Sequence, residues 1–121
     1  MNQKKVYCSI SGHQLANKIQ DDKLNYQTYE KLLEYFDEVH IFARSYERDD
    51  IEEFNKIFFH YNKVPKNGLL KYLLSIYKIV KNVKKLHQKY SFSLLDASEP
   101  TTGGVAGIIL NKILNIPLVV Q

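Results

Sequence analysis

Residues 92–121 read FSLLDASEPTTGGVAGIILNKILNIPLVVQ, and this stretch decides the fold. Residues 92–95 (FSLL) form a short, mostly apolar run that ends at Asp96, which predicts a buried strand. The next segment, Asp96 to Thr102, carries serine, glutamate, proline and two threonines, which is loop chemistry. A hydroxyl of Thr101 or Thr102 can accept a hydrogen bond from an orphan backbone N–H, so either caps a helix opening at Gly103. Ile108, Ile109, Ile113 and Leu114 then recur near the helical period. Asn115 suits the left-handed residue that ends a helix, and Pro117 forbids its continuation. Residues 118–120 (LVV) make a second apolar strand. Two apolar strands joined so tightly by a helix predict a βαβ unit, with parallel strands and a right-handed crossover.

Upstream, the same alternation continues. Residues 6–10 (VYCSI) predict a first strand, followed by a turn at Ser11, Gly12 and His13 and a polar loop to Asn25. Asn25 is positioned to cap a helix over residues 26–36, with Tyr29, Leu32, Leu33 and Phe36 on its apolar face. Residues 39–43 (VHIFA) and 57–61 (IFFHY) predict two more strands. The charged segment between them holds a short helical turn at most, over residues 50–54. Val64, Pro65, Asn67 and Gly68 punctuate a turn. A long amphipathic helix then spans residues 69–89. Leu69, Leu73, Ile76, Val80, Val83 and His87 form its apolar stripe, opposite Lys71, Ser75, Lys78, Asn82, Lys85 and Lys89.

Composition bounds the class. A chain of 121 residues with 45% hydrophobic content suits one domain with a real core. No apolar run is long enough to span a bilayer, and the charged start, MNQKK, does not resemble a signal peptide. The lone cysteine, Cys8, cannot form an internal disulfide, which points to a reducing, cytoplasmic setting. It lies in an apolar strand and reads as core packing. A net charge of +4 favours an anionic partner. The lysine stripe is a solvated face or a contact for an anionic membrane surface at the inner face of the membrane. It lacks the interleaved aromatics and arginines of a nucleic-acid site, so no nucleic-acid partner is expected.

The element order predicts a Rossmann-like three-layer αβα domain with a parallel sheet of about five strands in the order 3-2-1-4-5. In such a sheet the ligand crevice opens where the order reverses. That switch falls between the first strand and the strand at residues 92–95. It sets the loop of Gly12 and His13 beside the loop of Asp96, Ser98, Glu99, Thr101 and Thr102. Threonine hydroxyls, the Gly103 N–H and a helix N-terminus can hold an anion or a sugar hydroxyl; equally, they can simply cap the helix and let it lie close on the sheet. Gly12 permits a tight turn or a close backbone approach to a diphosphate. His13 could bond a ligand or stand idle, and Asp96 and Glu99 could bind sugar hydroxyls, move a proton or be merely solvated. His40, His60 and His87 read as structural. The run GGVAG is not a dinucleotide fingerprint, and no Walker loop, CxxC, HExxH or nucleophile elbow is present. Asp21-Asp22 and Asp49-Asp50 are adjacent pairs, without the spacing that holds a metal–diphosphate, so no metal and no cofactor are expected.

Residues 92–121, with the phrase LNIPLVV at 114–120, resemble the fourth-to-fifth-strand unit of the amino-terminal domain of GT-B glycosyltransferases, particularly glycosyltransferase family four. The strand, Gly12 loop, helix and second strand at the start of the chain are similar in order. The resemblance implies retaining transfer of a sugar from a nucleotide-sugar donor to a sugar or lipid-linked acceptor, without bound metal. It implies that His13 and Asp96 serve catalysis, and that Gly12, Ser98, Glu99, Thr101, Thr102 and Gly103 bind substrate. It further implies that this single domain is the acceptor-side half of a two-domain enzyme, inactive without a carboxyl-terminal donor domain. Two positions differ from the family habit: one glycine follows the first strand rather than two, and Asp96 stands where a histidine is common. The alternative reading is a non-catalytic Rossmann-like binding or membrane-surface module.

Overall fold

A computed structural model of the chain describes residues 4–14, 23–66, 68–98 and 102–120. The elements run β1 (Val6–Gln14), α1 (Lys23–Leu32), β2 (Glu38–Ser45), β3 (Ile51–Phe54), β4 (Ile57–Lys63), α2 (Gly68–Tyr90), β5 (Leu94–Ala97), α3 (Thr102–Leu114) and β6 (Leu118–Val120). The strands form one sheet in the order β3-β4-β2-β1-β5-β6. Every pairing is parallel except β3 with β4. Helices cover both faces. Ile79 and Val83 of α2 and Ala106 and Leu110 of α3 pack with Cys8, Ile10 and Phe42 on one side. On the other, Tyr26, Tyr29 and Leu32 of α1 close over Tyr7, Ile41 and Phe59. This is the expected three-layer, Rossmann-like arrangement, with the five anticipated strands in the anticipated order.

The sixth strand corrects the expectation of a helical turn over residues 50–54. Ile51–Phe54 instead pairs antiparallel with β4, Ile51 opposite His60 and Phe54 opposite Ile57. The connecting residues Asn55 and Lys56 both have positive φ, 52° and 68°, as a two-residue type I′ hairpin requires. An edge strand with a charged middle suits a position where pairing must stop.

Three further boundaries differ. β1 does not end at Ile10: after an irregularity it runs on to pair Gln14 with Arg44, so Gly12 and His13 lie in a strand rather than a turn. Helix α1 begins at Lys23, so Asn25 is inside it and is not its cap. Its ladder persists past Leu32, where Leu33 N–H donates to Tyr29 O (3.1 Å) and Phe36 N–H to Leu32 O (2.9 Å). The buried line of α2 runs through Ser75, Ile79 and Val83. Leu69 and Leu73, expected in the core, are 74% and 55% exposed. Ser75, expected on the polar side, is buried and returns its hydroxyl to Lys71 O at 2.7 Å. Ile76, Val80 and Val83 of the expected stripe do pack on the core, so the stripe fails at its first two turns.

The βαβ unit at the chain's end forms, but its first strand is Leu94–Ala97 rather than 92–95, and α3 buries Ala106 and Leu110 while Ile108 and Ile113 of the expected period stay exposed. Asn115 takes φ 56°, and two residues on the Pro117 carbonyl accepts the Leu95 N–H at 2.8 Å. Gly107 lets α3 rest on β5 and β6, since a Cβ there would stand 2.9 Å from Leu118 Cδ1 and 3.3 Å from Ala97 Cβ. Cys8 is fully buried in the core, and burial pushes its thiol pKa up, so it packs as a neutral small hydrophobe. His87 accepts the Phe92 N–H through Nδ1 at 3.0 Å, a structural bond at the end of α2.

Candidate functional site

β1 and β5 are direct neighbours, with Tyr7 opposite Leu94 and Ile10 opposite Ala97. They run parallel, so their exits share one edge of the sheet, and no strand separates them. Ser98 closes the gap: its N–H and its hydroxyl both donate to Ile10 O, at 3.1 and 3.3 Å. Neighbouring strands leave this pair in opposite directions, β2 toward β4 and β5 toward β6, which is the switch point where doubly wound sheets form a crevice.

The expected site residues are distributed unevenly about that point. Thr102 and Gly103 open α3, both buried against the sheet edge, one residue earlier than the sequence suggests for the helix start. Asp96 lies inside β5 rather than in the loop, and only 8% of it is exposed. It accepts a hydrogen bond from the Tyr7 hydroxyl on the α1 face of the sheet. Burial, and then the bond to Asp96 and its charge, push the Tyr7 phenol far above its ordinary pKa, so it remains a donor. Gly12 and His13 lie in the extended end of β1. Glu99 and Thr101 lie outside the described residues.

Sequence reasoning missed two polar clusters. The first is buried between the sheet and α2. His40 Nε2 lies 3.0 Å from Glu38 Oε1, and His40 Nδ1 lies 2.7 Å from His60 Nε2. Lys4 Nζ completes the chain at 3.3 Å from Glu38 Oε2. Burial opposes the Glu38 charge, but hydrogen bonds from His40 and Lys4 outweigh it and hold the carboxyl below its usual range. Burial also lowers His40, and it lowers His60 to about 3 with help from the neighbouring His40. The tautomers follow. The Glu38 carboxylate only accepts, so His40 carries its proton on Nε2; His40 Nδ1 then accepts from the His60 Nε2–H. That leaves His60 Nδ1 as a bare acceptor, buried and without a hydrogen-bond partner among the described residues. His60 lines a groove of about 370 Å³ with Asp50, Tyr61, Asn82 and Lys85. The groove is walled by β3, β4 and α2, not by the switch-point strands. Two histidines twenty residues apart, each inside an apolar strand, carry no sequence signal of contact; parallel pairing of β2 with β4 brings them together.

The second cluster stands at the carboxyl edge of the sheet. Arg44, next to the end of β2 and in register with Gln14 of β1, lies with its guanidinium carbon 5.4 Å from the Tyr72 ring centre. Lys71 Nζ lies 4.8 Å from the same ring, and Lys66 Nζ 5.5 Å from the Tyr46 ring. The only sequence signal was an arginine closing an apolar strand, VHIFAR.

Sheet order, parallel pairing and helices on both faces define a doubly wound α/β domain of the Rossmann-like class. Over 97% of this chain the fold is similar to sucrose-phosphate synthase from Thermosynechococcus elongatus, with a TM-score of 0.68 at 19% identity, and the match covers 32% of that chain. A shorter chain of the same synthase matches with a TM-score of 0.68 at 19% identity, covering 96% of this chain and 62% of that one. The C-terminal domain of a hydrogenase from Pyrococcus furiosus is also similar, with a TM-score of 0.60 at 16% identity over 100% of this chain and 93% of that one. At these identities the likeness is one of fold. No family model matches the sequence, and no curated protein matches it.

Proposed function

We propose that the chain is the acceptor-side Rossmann-like domain of a GT-B glycosyltransferase, which moves a sugar from a nucleotide-sugar donor to an acceptor. One observation supports this reading: the exits of β1 and β5 are adjacent, bridged by Ser98 at Ile10 O, at the switch point where doubly wound sheets bind their ligands. The fold likeness to sucrose-phosphate synthase supports it, and the 32% coverage of that chain is what one domain of a larger enzyme would give. The likeness to a hydrogenase domain shows that the fold alone does not name the chemistry.

In this reading the backbone at Gly12 and His13 approaches the donor phosphates, with His13 available for proton transfer. Ser98, Glu99, Thr101, Thr102 and Gly103 line the acceptor side. Asp96 acts from β5 through its bond to Tyr7, shaping the floor of the cleft. The domain alone is inactive, because transfer requires a second half to close over the donor. Amide chemical-shift mapping with glucose and with a nucleotide-glucose tests this. Glucose is expected to shift the Ser98, Thr102 and Gly103 amides, with no turnover of the nucleotide sugar. Silence at those amides at saturating sugar, or turnover by this chain alone, overturns the proposal.

A second reading is favoured by one observation. Leu69, Leu70, Leu73 and Tyr77 are exposed on α2, the helix that also carries Lys81 and Lys84. Exposed apolar side chains beside lysines suit an anionic membrane surface. Among the described residues no helix is long and apolar enough to cross a membrane, so contact would be peripheral. Flotation with anionic vesicles is expected to fall on Leu73→Glu; unchanged flotation removes this reading.

A further inference from the structure

We infer that Arg44, Lys66 and Lys71 form an anion site beside the cleft, built for a phosphate group on the acceptor. Three cationic side chains converge on two tyrosine rings at the carboxyl edge of the sheet. Against the opposing effect of burial, Arg44 and Lys71 together also hold the Tyr46 phenol below its ordinary pKa. Among the described residues none of the three cations has an ion-pair partner. Arg44 Nε and Nη1 are buried and have no hydrogen-bond acceptor there. The contrast with Arg48 is direct, since Arg48 binds Asp50 through Nε and Nη2 and Glu52 through Nη1. A guanidinium with donors left unmatched costs free energy unless a ligand supplies acceptors.

Position and charge name the ligand. Arg44 is in register with the last residue of β1, so the cluster stands one strand from the switch point, on the same edge as Ser98. A phosphate monoester carries a charge of about −1.5 to −2 at pH 7 and three acceptor oxygens, which matches three cations better than a single carboxylate does. The tyrosines add stacking faces and one hydroxyl. Burial would push the Tyr46 phenol up, but its interaction with Arg44 and the charges of Lys71 and Arg44 outweigh this and hold it below its ordinary value, as a field prepared for an anion would. The assignment of that phosphate to an acceptor rests on the glycosyltransferase reading; the anion site itself does not.

The test uses inorganic phosphate, glucose and glucose 6-phosphate on the full 121-residue chain. Phosphate is expected to shift the Arg44 Nε–H signal and the Tyr46 ring signals. Glucose 6-phosphate is expected to bind at least tenfold more tightly than glucose. Arg44→Gln should remove that advantage and Lys71→Gln should reduce it severalfold, while Lys112→Gln on α3 leaves it intact. Amide spectra of each variant verify the fold, and Arg44→Lys is used if Arg44→Gln unfolds. Equal affinity for both sugars, or phosphate binding that leaves the Arg44 signal unmoved, overturns the inference while leaving a glucose-binding cleft standing. Phosphate binding at Arg44 without any glucose response at Ser98 upholds the anion site and sinks the sugar-transfer reading instead.

Discussion

Two buried polar arrays sit in the same sheet, and they differ in which strand pair and which face hold them. Asp96 meets Tyr7 across the β1–β5 pair, under α1. Glu38, His40 and His60 form a chain across the β2–β4 pair, under α2. The acid that sequence position marks as reactive is thus engaged by a phenol held in its donor form. The histidines that sequence position marks as inert end in an unmatched Nδ1 beside a groove. Residue type in a loop-like segment is a poorer guide than the donors and acceptors that neighbouring strands supply, because a buried polar group must find its partners within hydrogen-bond reach.

The comparison can be broken most forcefully at Glu38. Glu38→Leu leaves the His40 Nε2–H without an acceptor and removes the charge that orients both tautomers, and it is expected to lower stability by ~3 kcal/mol in urea denaturation. A loss below ~1 kcal/mol would show that the chain of bonds contributes little.

The pH dependence comes next in size. His60 is lowered to about 3 in the folded state from an ordinary 6.5. The unfolded chain therefore takes up this proton first as pH falls. Stability is fully present above ~6.5 and is lost between there and about 3, at up to ~1.4 kcal/mol per pH unit for one proton. His40, lowered in the same direction, adds to the slope. His60→Phe should flatten the acid limb by about one proton's worth, and an unchanged limb would place the acid sensitivity elsewhere.

Asp96→Asn sharpens the other side of the comparison. The amide oxygen can still accept from Tyr7, so the charge assistance is lost while the Tyr7 bond is kept, and ~1 kcal/mol is expected by thermal melting. A loss above ~3 kcal/mol would mean that the carboxylate charge itself holds β1 to β5. The smallest effect belongs to the surface. Lys78 reaches Asp49 at 3.5 Å in a partly exposed pair, and Lys78→Ala is expected to change stability by less than ~1 kcal/mol.

Much of this molecule was legible as a string. The βαβ unit at residues 94–120 followed from two short apolar runs, a helical segment between them and the Asn115–Pro117 stop, all of them local. The alternation of elements led to the sheet order of the parallel strands and so to the switch point. The errors share a cause. Ile51–Phe54 has two glutamates in its middle and becomes a strand only because β4 offers an open edge. Gly12 and His13 resemble a turn, yet β1 continues past Ile10 because β2 extends far enough to pair with Gln14. The α2 stripe suggested a face that includes Leu69 and Leu73, whereas the buried contact is made further along, by Ile76, Ile79, Val80 and Val83.

By itself, then, the sequence determined the order of the helices and parallel strands and, through that order, the switch point. Caps, stops and hydropathy periods act within a few residues, and handedness does the rest. Only the tertiary structure decided which polar groups meet: Tyr7 with Asp96, His40 with Glu38 and His60, and Arg44 with the Tyr72 ring. Such pairings depend on strand register and helix rotation, where a shift of one residue turns a side chain to the opposite face.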